Sequence, residues 1–265
     1  MRANYLYIFG FADPNGRNDL NKETRESIAG LYKKYGGRSG PTALMWVEPP
    51  DKVEVLGSLG DIPLNKDFTD KGSKDKSQIT DDKKVKGKVE VGVYAVLHGV
   101  TGATMIEDGD VANMVSAFGQ AIPETQCKQL TKVALVQCFA TKGANQELNN
   151  IIPKEPNLPA LSSYKDKELP PLNKLESGSV NDIVRLMALL REKGMTPMIA
   201  GWEGYIGVNG EGQKILSKSY NPNTKTSTYG RVVEKERSGA HRKKHVYQVN
   251  KEGKVCIDFD GWSDR

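Results

Sequence analysis

Val89-Glu90-Val91-Gly92-Val93-Tyr94-Ala95-Val96-Leu97 leads directly into His98-Gly99, and Lys132-Val133-Ala134-Leu135-Val136-Gln137 leads directly into Cys138. Both runs are short, almost continuously apolar and rich in valine. That pattern suits strands buried on both faces of a parallel sheet better than it suits helices. In an open α/β sheet, ligands bind beyond the carboxyl ends of the strands. A His and a Cys that end two such strands can face each other across one cleft. A thiol nucleophile and its base require that arrangement.

Working outward, residues 3–11 alternate aromatic and aliphatic side chains and run into Asp13-Pro14 without a small-residue cleavage site, so they read as a first strand rather than a secretory signal. Residues 21–35 place Ile28, Leu31 and Tyr32 at helical spacing, and Gly36-Gly37 stops them. A second strand follows at 41–47, then the His strand, a helix at 110–122 and the Cys strand. This alternation predicts a doubly wound sheet. Residues 180–193 predict another helix, with Ile183, Leu186, Met187 and Leu190 on one face and Gly194 at its end. A strand at 195–202 and a Gly-rich hairpin come next. Beyond Gly207, residues 231–233, 245–249 and 254–259 alternate apolar with polar side chains, as half-buried antiparallel strands do. The expected fold is α/β: a mainly parallel sheet flanked by helices over residues 1–216, with a β-rich C-terminal extension of the same domain over 217–265.

Two stretches interrupt the pattern. Residues 66–88 are dense in Lys and Asp and nearly devoid of apolar side chains, so they predict a flexible insertion. Residues 151–178 contain Pro153, Pro156, Pro159, Pro170 and Pro171, which predicts an extended, exposed segment.

With 265 residues the chain can bury one substantial α/β core. Its net charge of +5 is spread among interleaved acidic and basic residues, which does not predict a nucleic-acid partner. No apolar run approaches a membrane span. Cys127, Cys138 and Cys256 are odd in number and lack metal-ligand spacing, so neither a metal nor a disulfide framework is expected. Free thiols predict a reducing compartment: the cytoplasm of the producing cell, or that of a cell into which the protein is delivered.

Cys138 is the candidate nucleophile. Its reactive form is the thiolate, which needs a base or a positive field beside it. Of the three histidines, at 98, 241 and 245, only His98 ends a buried run. Gly99 has no side chain, so its N–H can approach a developing oxyanion, with the Cys138 N–H as second donor. No third, orienting acid is legible. Cys127 is expected in a loop or at a helix end, and Cys256 in packing.

In order, spacing and strand context these motifs resemble those of the caspase-like cysteine peptidases of clan CD. The similarity is greatest to the self-cleaving cysteine protease domains of large bacterial toxins, and it covers roughly residues 3–216. The resemblance implies a cysteine endopeptidase acting on a protein or peptide substrate through a Cys138/His98 dyad, with no required cofactor. It also implies a substrate pocket built from Asp13, Gln137, Trp202 and Glu203, with Trp202 as an apolar wall. The two carboxylates would either favour a basic P1 residue or stand as solvated loop residues, whereas the toxin domains suggest a hydrophobic P1. It further implies that 151–178, with 66–88 as second candidate, could be cut by the protein itself. The toxin domains are activated by inositol hexakisphosphate on a basic surface. The cluster containing Arg242, Lys243 and Lys244 is compatible with such an anion site or with a solvated turn. Two other readings stay open: a caspase-fold binding module without turnover, and a polyphosphate-sensing domain.

Overall fold

The computed structural model describes residues 3–13, 16, 18–38, 40–48, 52–56, 89–97, 108–136, 164–175, 182–202, 206–221, 226–229 and 244–258. In chain order these form β1 (Tyr5–Phe11), α1 (Asn18–Tyr35), β2 (Thr42–Glu48), β3 (Lys52–Leu56), β4 (Val91–Val96), α2 (Asp108–Ala121), α3 (Glu124–Cys127) and β5 (Leu130–Val136). A 3-10 turn at Leu172–Lys174 precedes α4 (Asp182–Glu192), β6 (Met198–Trp202), β7 (Ile206–Val208), β8 (Lys214–Asn221), β9 (Thr226–Tyr229), β10 (Lys244–Val249) and β11 (Val255–Asp258). The expected strand at 231–233 lies outside the described residues.

Eight strands make the main sheet in the order β11-β10-β6-β5-β4-β1-β2-β3. The five at its centre, β6-β5-β4-β1-β2, are mutually parallel, and β3, β10 and β11 join antiparallel at the edges. From β1 the chain goes to β2 on one side and later to β4 on the other, so the order reverses between β1 and β4. In such a sheet the reversal opens a crevice at the carboxyl ends.

The period-2 geometry of a strand turns each apolar run into two cores. Tyr5, Tyr7 and Phe9 of β1 join Val93 and Ala95 of β4, and Val133 and Leu135 of β5, beneath α2 and α4. Leu6 and Ile8, with Tyr94, Val96, Ala134 and Val136, face the other way. There they meet Ile28, Leu31 and Tyr35 of α1. Phe9 and Phe118 of α2 meet with ring centroids 5.0 Å apart, a tilted contact that joins sheet to helix.

The hairpin β7–β8 belongs to a separate three-stranded sheet with β9. Its turn packs on α1 through two glycines. A Cβ on Gly30 would collide with the Asn209 carbonyl, and one on Gly212 with the Gly30 carbonyl. Gly212 also has φ +71°, so a side chain there is doubly disfavoured.

Residues 217–221 complete β8, and β10–β11 of the C-terminal extension join the main sheet. One expectation needs correction: the proline-bearing stretch is not uniformly exposed. Of 151–178 the structure describes 164–175, and there Leu169 and Leu175 are buried in the core under α4. Asp166 N–H donates to Val255 O and Val255 N–H to Lys167 O, both at 2.8 Å, and Leu169 N–H donates to Gly253 O at 3.0 Å. Prolines exclude a long helix but leave intervening residues free to pair, so this strap lies along the start of β11.

Candidate functional site at the strand ends

The β4–β5 pair is held in register from its amino end. Lys132 Nζ lies 3.2 Å from Glu90 Oε2, an ion pair between the two strand starts. A register shift between Val91 and Gly92 follows, and thereafter the strands pair residue for residue up to Val96 and Val136. Leu97 N–H donates to Val136 O at 3.2 Å, which carries the ladder one residue beyond β4.

The entry to β5 is fixed separately. Gln126 of α3 is buried, and its side-chain carbonyl accepts from the Tyr7 hydroxyl at 2.6 Å. A buried acceptor satisfied in this way resists displacement, because breaking the bond strands a desolvated polar group. So β5 is tied at its start to β1 and along its length to β4. The α3 turn and its link to Tyr7 were not anticipated from the sequence. Glu124-Thr125-Gln126-Cys127 carries no apolar periodicity to announce them.

His98, Gly99, Gln137 and Cys138 lie outside the described residues, as do Glu203, Arg242 and Lys243. The remaining site candidates are described. Asp13 follows β1 at the reversal point and is only 6% exposed. Its N–H donates to Asn21 Oδ1 of α1 at 2.6 Å, and its carbonyl accepts from Gly16 N–H at 2.9 Å. It therefore stands at the carboxyl end of the strand beside β4.

Trp202 ends β6 and is 2% exposed, packed in the α1-side core. An apolar wall for a ligand needs an open face, and this indole has little. The Lys214 ammonium lies 5.6 Å from its ring, 4.8 Å from that of Tyr94 and 5.4 Å from that of Tyr35. Lys214 Nζ also donates to Tyr94 Oη at 3.4 Å. This cation–aromatic cluster ties β8 to β4 and α1. Lys214, one of two lysines of β8, gave no sequence signal for it. Lys244 begins β10 opposite Trp202 and is 6% exposed, so it does not offer the open ammonium that an anion-binding surface needs.

Cys127 ends α3 as expected, half-buried, with Sγ 3.4 Å from Ile122 O. Burial, reinforced by the neighbouring Glu124 carboxylate, pushes its thiol above the ordinary range. It is thus a poor nucleophile near neutrality. Cys256 is half-buried on β11 beside fully buried Val255. No group of three or more His, Cys, Asp or Glu side chains among the described residues could hold a metal ion. No helix among them is long and apolar enough to cross a membrane.

The chain matches no protein-family model and no curated protein.

Proposed function

We propose that this chain is a cysteine endopeptidase of the caspase-like, clan CD kind, with Cys138 as nucleophile and His98 as base. The observation that carries the reading is the β4–β5 pairing. The two strands are adjacent, parallel and in register up to Val96 and Val136, and in sequence His98 and Cys138 each follow that pair by two residues. Strand order adds support, because β4 borders the reversal point where open sheets bind ligands. Asp13 stands beside it at the end of β1, but at 6% exposure its carboxylate, like the Lys244 ammonium, offers little open surface to a substrate.

In this reading His98 takes the thiol proton, and the Cys138 thiolate attacks the scissile carbonyl. The negative oxygen of the tetrahedral intermediate accepts hydrogen bonds from the Gly99 and Cys138 amides. The His98 imidazolium then gives its proton to the departing amine, leaving a thioester. Imidazole next activates a water, which releases the new carboxylate and restores the thiol. No metal or cofactor is needed for these steps. Self-processing is assigned to 151–163, 176–178 or 66–88 rather than to the strap, whose backbone is paired with β11 and the turn before it.

A peptide-library digest read by mass spectrometry tests the proposal. Cys138→Ala and His98→Ala should each lose essentially all cleavage, because nucleophile and base act as a unit. Their melting temperatures should stay close to that of the wild type. Cleavage that persists in Cys138→Ala would remove the assignment.

A further inference from the structure

The main sheet ends in two different edges. The start of β11 is covered by the strap, through the bonds of Asp166, Lys167 and Leu169 to Val255 and Gly253. β3 has β2 on one side and, among the described residues, no strand on the other. An uncovered edge is a template for another strand.

The direction of the peptide groups along β3 follows from its neighbours. Val47 O accepts from Ala12 N–H, so the peptide groups of Val47 point toward β1 and those of Trp46 and Glu48 toward β3. Trp46 and Glu48 stand opposite Glu54 and Lys52. Those two residues therefore bond back to β2, and the N–H and C=O of Val53, between them, point out at the open edge.

The side chains sort by face. Trp46 belongs to the α1-side core, so Glu54 opposite it shares that face, as does Lys52 two residues away. Both are exposed, whereas Val53 turns to the α2 side and is half-buried there. Lys52 Nζ lies 3.4 Å from Glu48 Oε2, and among the described residues Glu54 is in no ion pair.

We propose that β3 pairs antiparallel with β3 of a second copy of this chain, about a twofold axis at Val53. Such an isologous contact sets Lys52 against Glu54 of the second copy and Glu54 against its Lys52, while the two Val53 residues exchange a pair of backbone hydrogen bonds. Opposite charges directly across a strand pair attract, and like charges repel. The neighbouring registers lack this match. An axis at Glu54 sets the two Glu54 carboxylates against each other, and one at Val55 sets Glu54 against Leu56. Charge that guards the edge against indiscriminate pairing thus admits the Val53 register. A five-residue strand pairing falls short of the about 1,200 Å² that a stable interface buries, so the dimer is a weak one.

Sedimentation velocity of the full-length chain, from micromolar to near-millimolar concentration at low salt, is the test. The wild type should dimerise as concentration rises. Lys52→Glu and Glu54→Lys each set like charges across the axis and should weaken self-association roughly 10-fold or more. Mixed in equal amounts, the two variants again oppose Lys to Glu at both positions and should form a heterodimer about as tight as the wild-type dimer. Both positions are exposed, so melting temperatures close to that of the wild type should accompany these changes. A monomer at every concentration, undiminished self-association of the single variants, or no heterodimer in the mixture would each overturn the proposal.

Discussion

At the centre of the sheet β4 buries all six of its residues, whereas edge strand β3 exposes Lys52 and Glu54 and half-buries Val53 and Leu56. The difference follows from what covers each strand. A central parallel strand has helices on both faces, so every side chain must be apolar and the strand reads as one continuous run. An edge strand has solvent beside it and tolerates alternation or charge, which also discourages indiscriminate edge-to-edge association. In sequence the proposed nucleophile and base follow two central strands, which are braced by neighbours on both sides. At the β11 edge the strap, the end of α4 and the β10–β11 turn meet. Chemistry that depends on sub-ångström placement gains from the first setting.

The contrast is broken most forcefully by truncating each region in turn. Phe9→Ala removes a fully buried ring from the centre and should cost about 3–5 kcal/mol in chemical denaturation. Leu169→Ala removes a 4% exposed side chain from the strap and should cost about 2 kcal/mol, at the low end for a buried leucine, because the strap can relax. Equal costs would mean that the strap is as integral to the core as β1. Smaller still, the Lys132–Glu90 ion pair should contribute no more than about 1 kcal/mol in a double-mutant cycle, since both side chains are partly solvated. Its removal should leave the melt cooperative.

Alkali sharpens the comparison further. Burial disfavours ionisation of the Cys127 thiol, just before β5, and of the Tyr164 phenol in the strap, and pushes both above their ordinary ranges. For an acid held neutral in the fold, the native state binds more protons than the unfolded state above the ordinary ionisation range. Stability is therefore retained below that range and falls as pH rises through it. Denaturant midpoints should decline between about pH 8 and 10.5, less so in Cys127→Ala, which removes the earlier-titrating group. A flat profile would show that neither group is held neutral by the fold.

How much of this was legible follows from the same physics. β1, β2, β4, β5 and α1, α2, α4 announced themselves because burial on two faces or one stripe leaves no alternative pattern. The antiparallel β3 was missed although Lys52-Val53-Glu54-Val55-Leu56 alternates, because its five residues follow Pro49-Pro50 and carry little apolar mass. The strap was read as exposed because proline counts describe what a segment cannot do, not the two leucines that anchor it. At the site, the adjacency and parallel direction of the His and Cys strands were legible from their apolar runs and the alternation around them. The burial of Trp202 and Lys244 was not, because an aromatic or a lysine at a strand end gives the same signal whether it faces solvent or a neighbouring strand.

The central claim, that Cys138 is an activated nucleophile, is tested most directly by its own reactivity. Cys127 serves as a reference thiol, since burial and the Glu124 carboxylate push its thiol above the ordinary range. Each cysteine's rate of alkylation by iodoacetamide would be followed by peptide mass spectrometry from pH 5 to 9, in the wild type and in His98→Ala. The account predicts that Cys138 reacts selectively below pH 7 in the wild type and loses that advantage in His98→Ala. Alkylation of Cys138 no faster than Cys127 at any pH would contradict it.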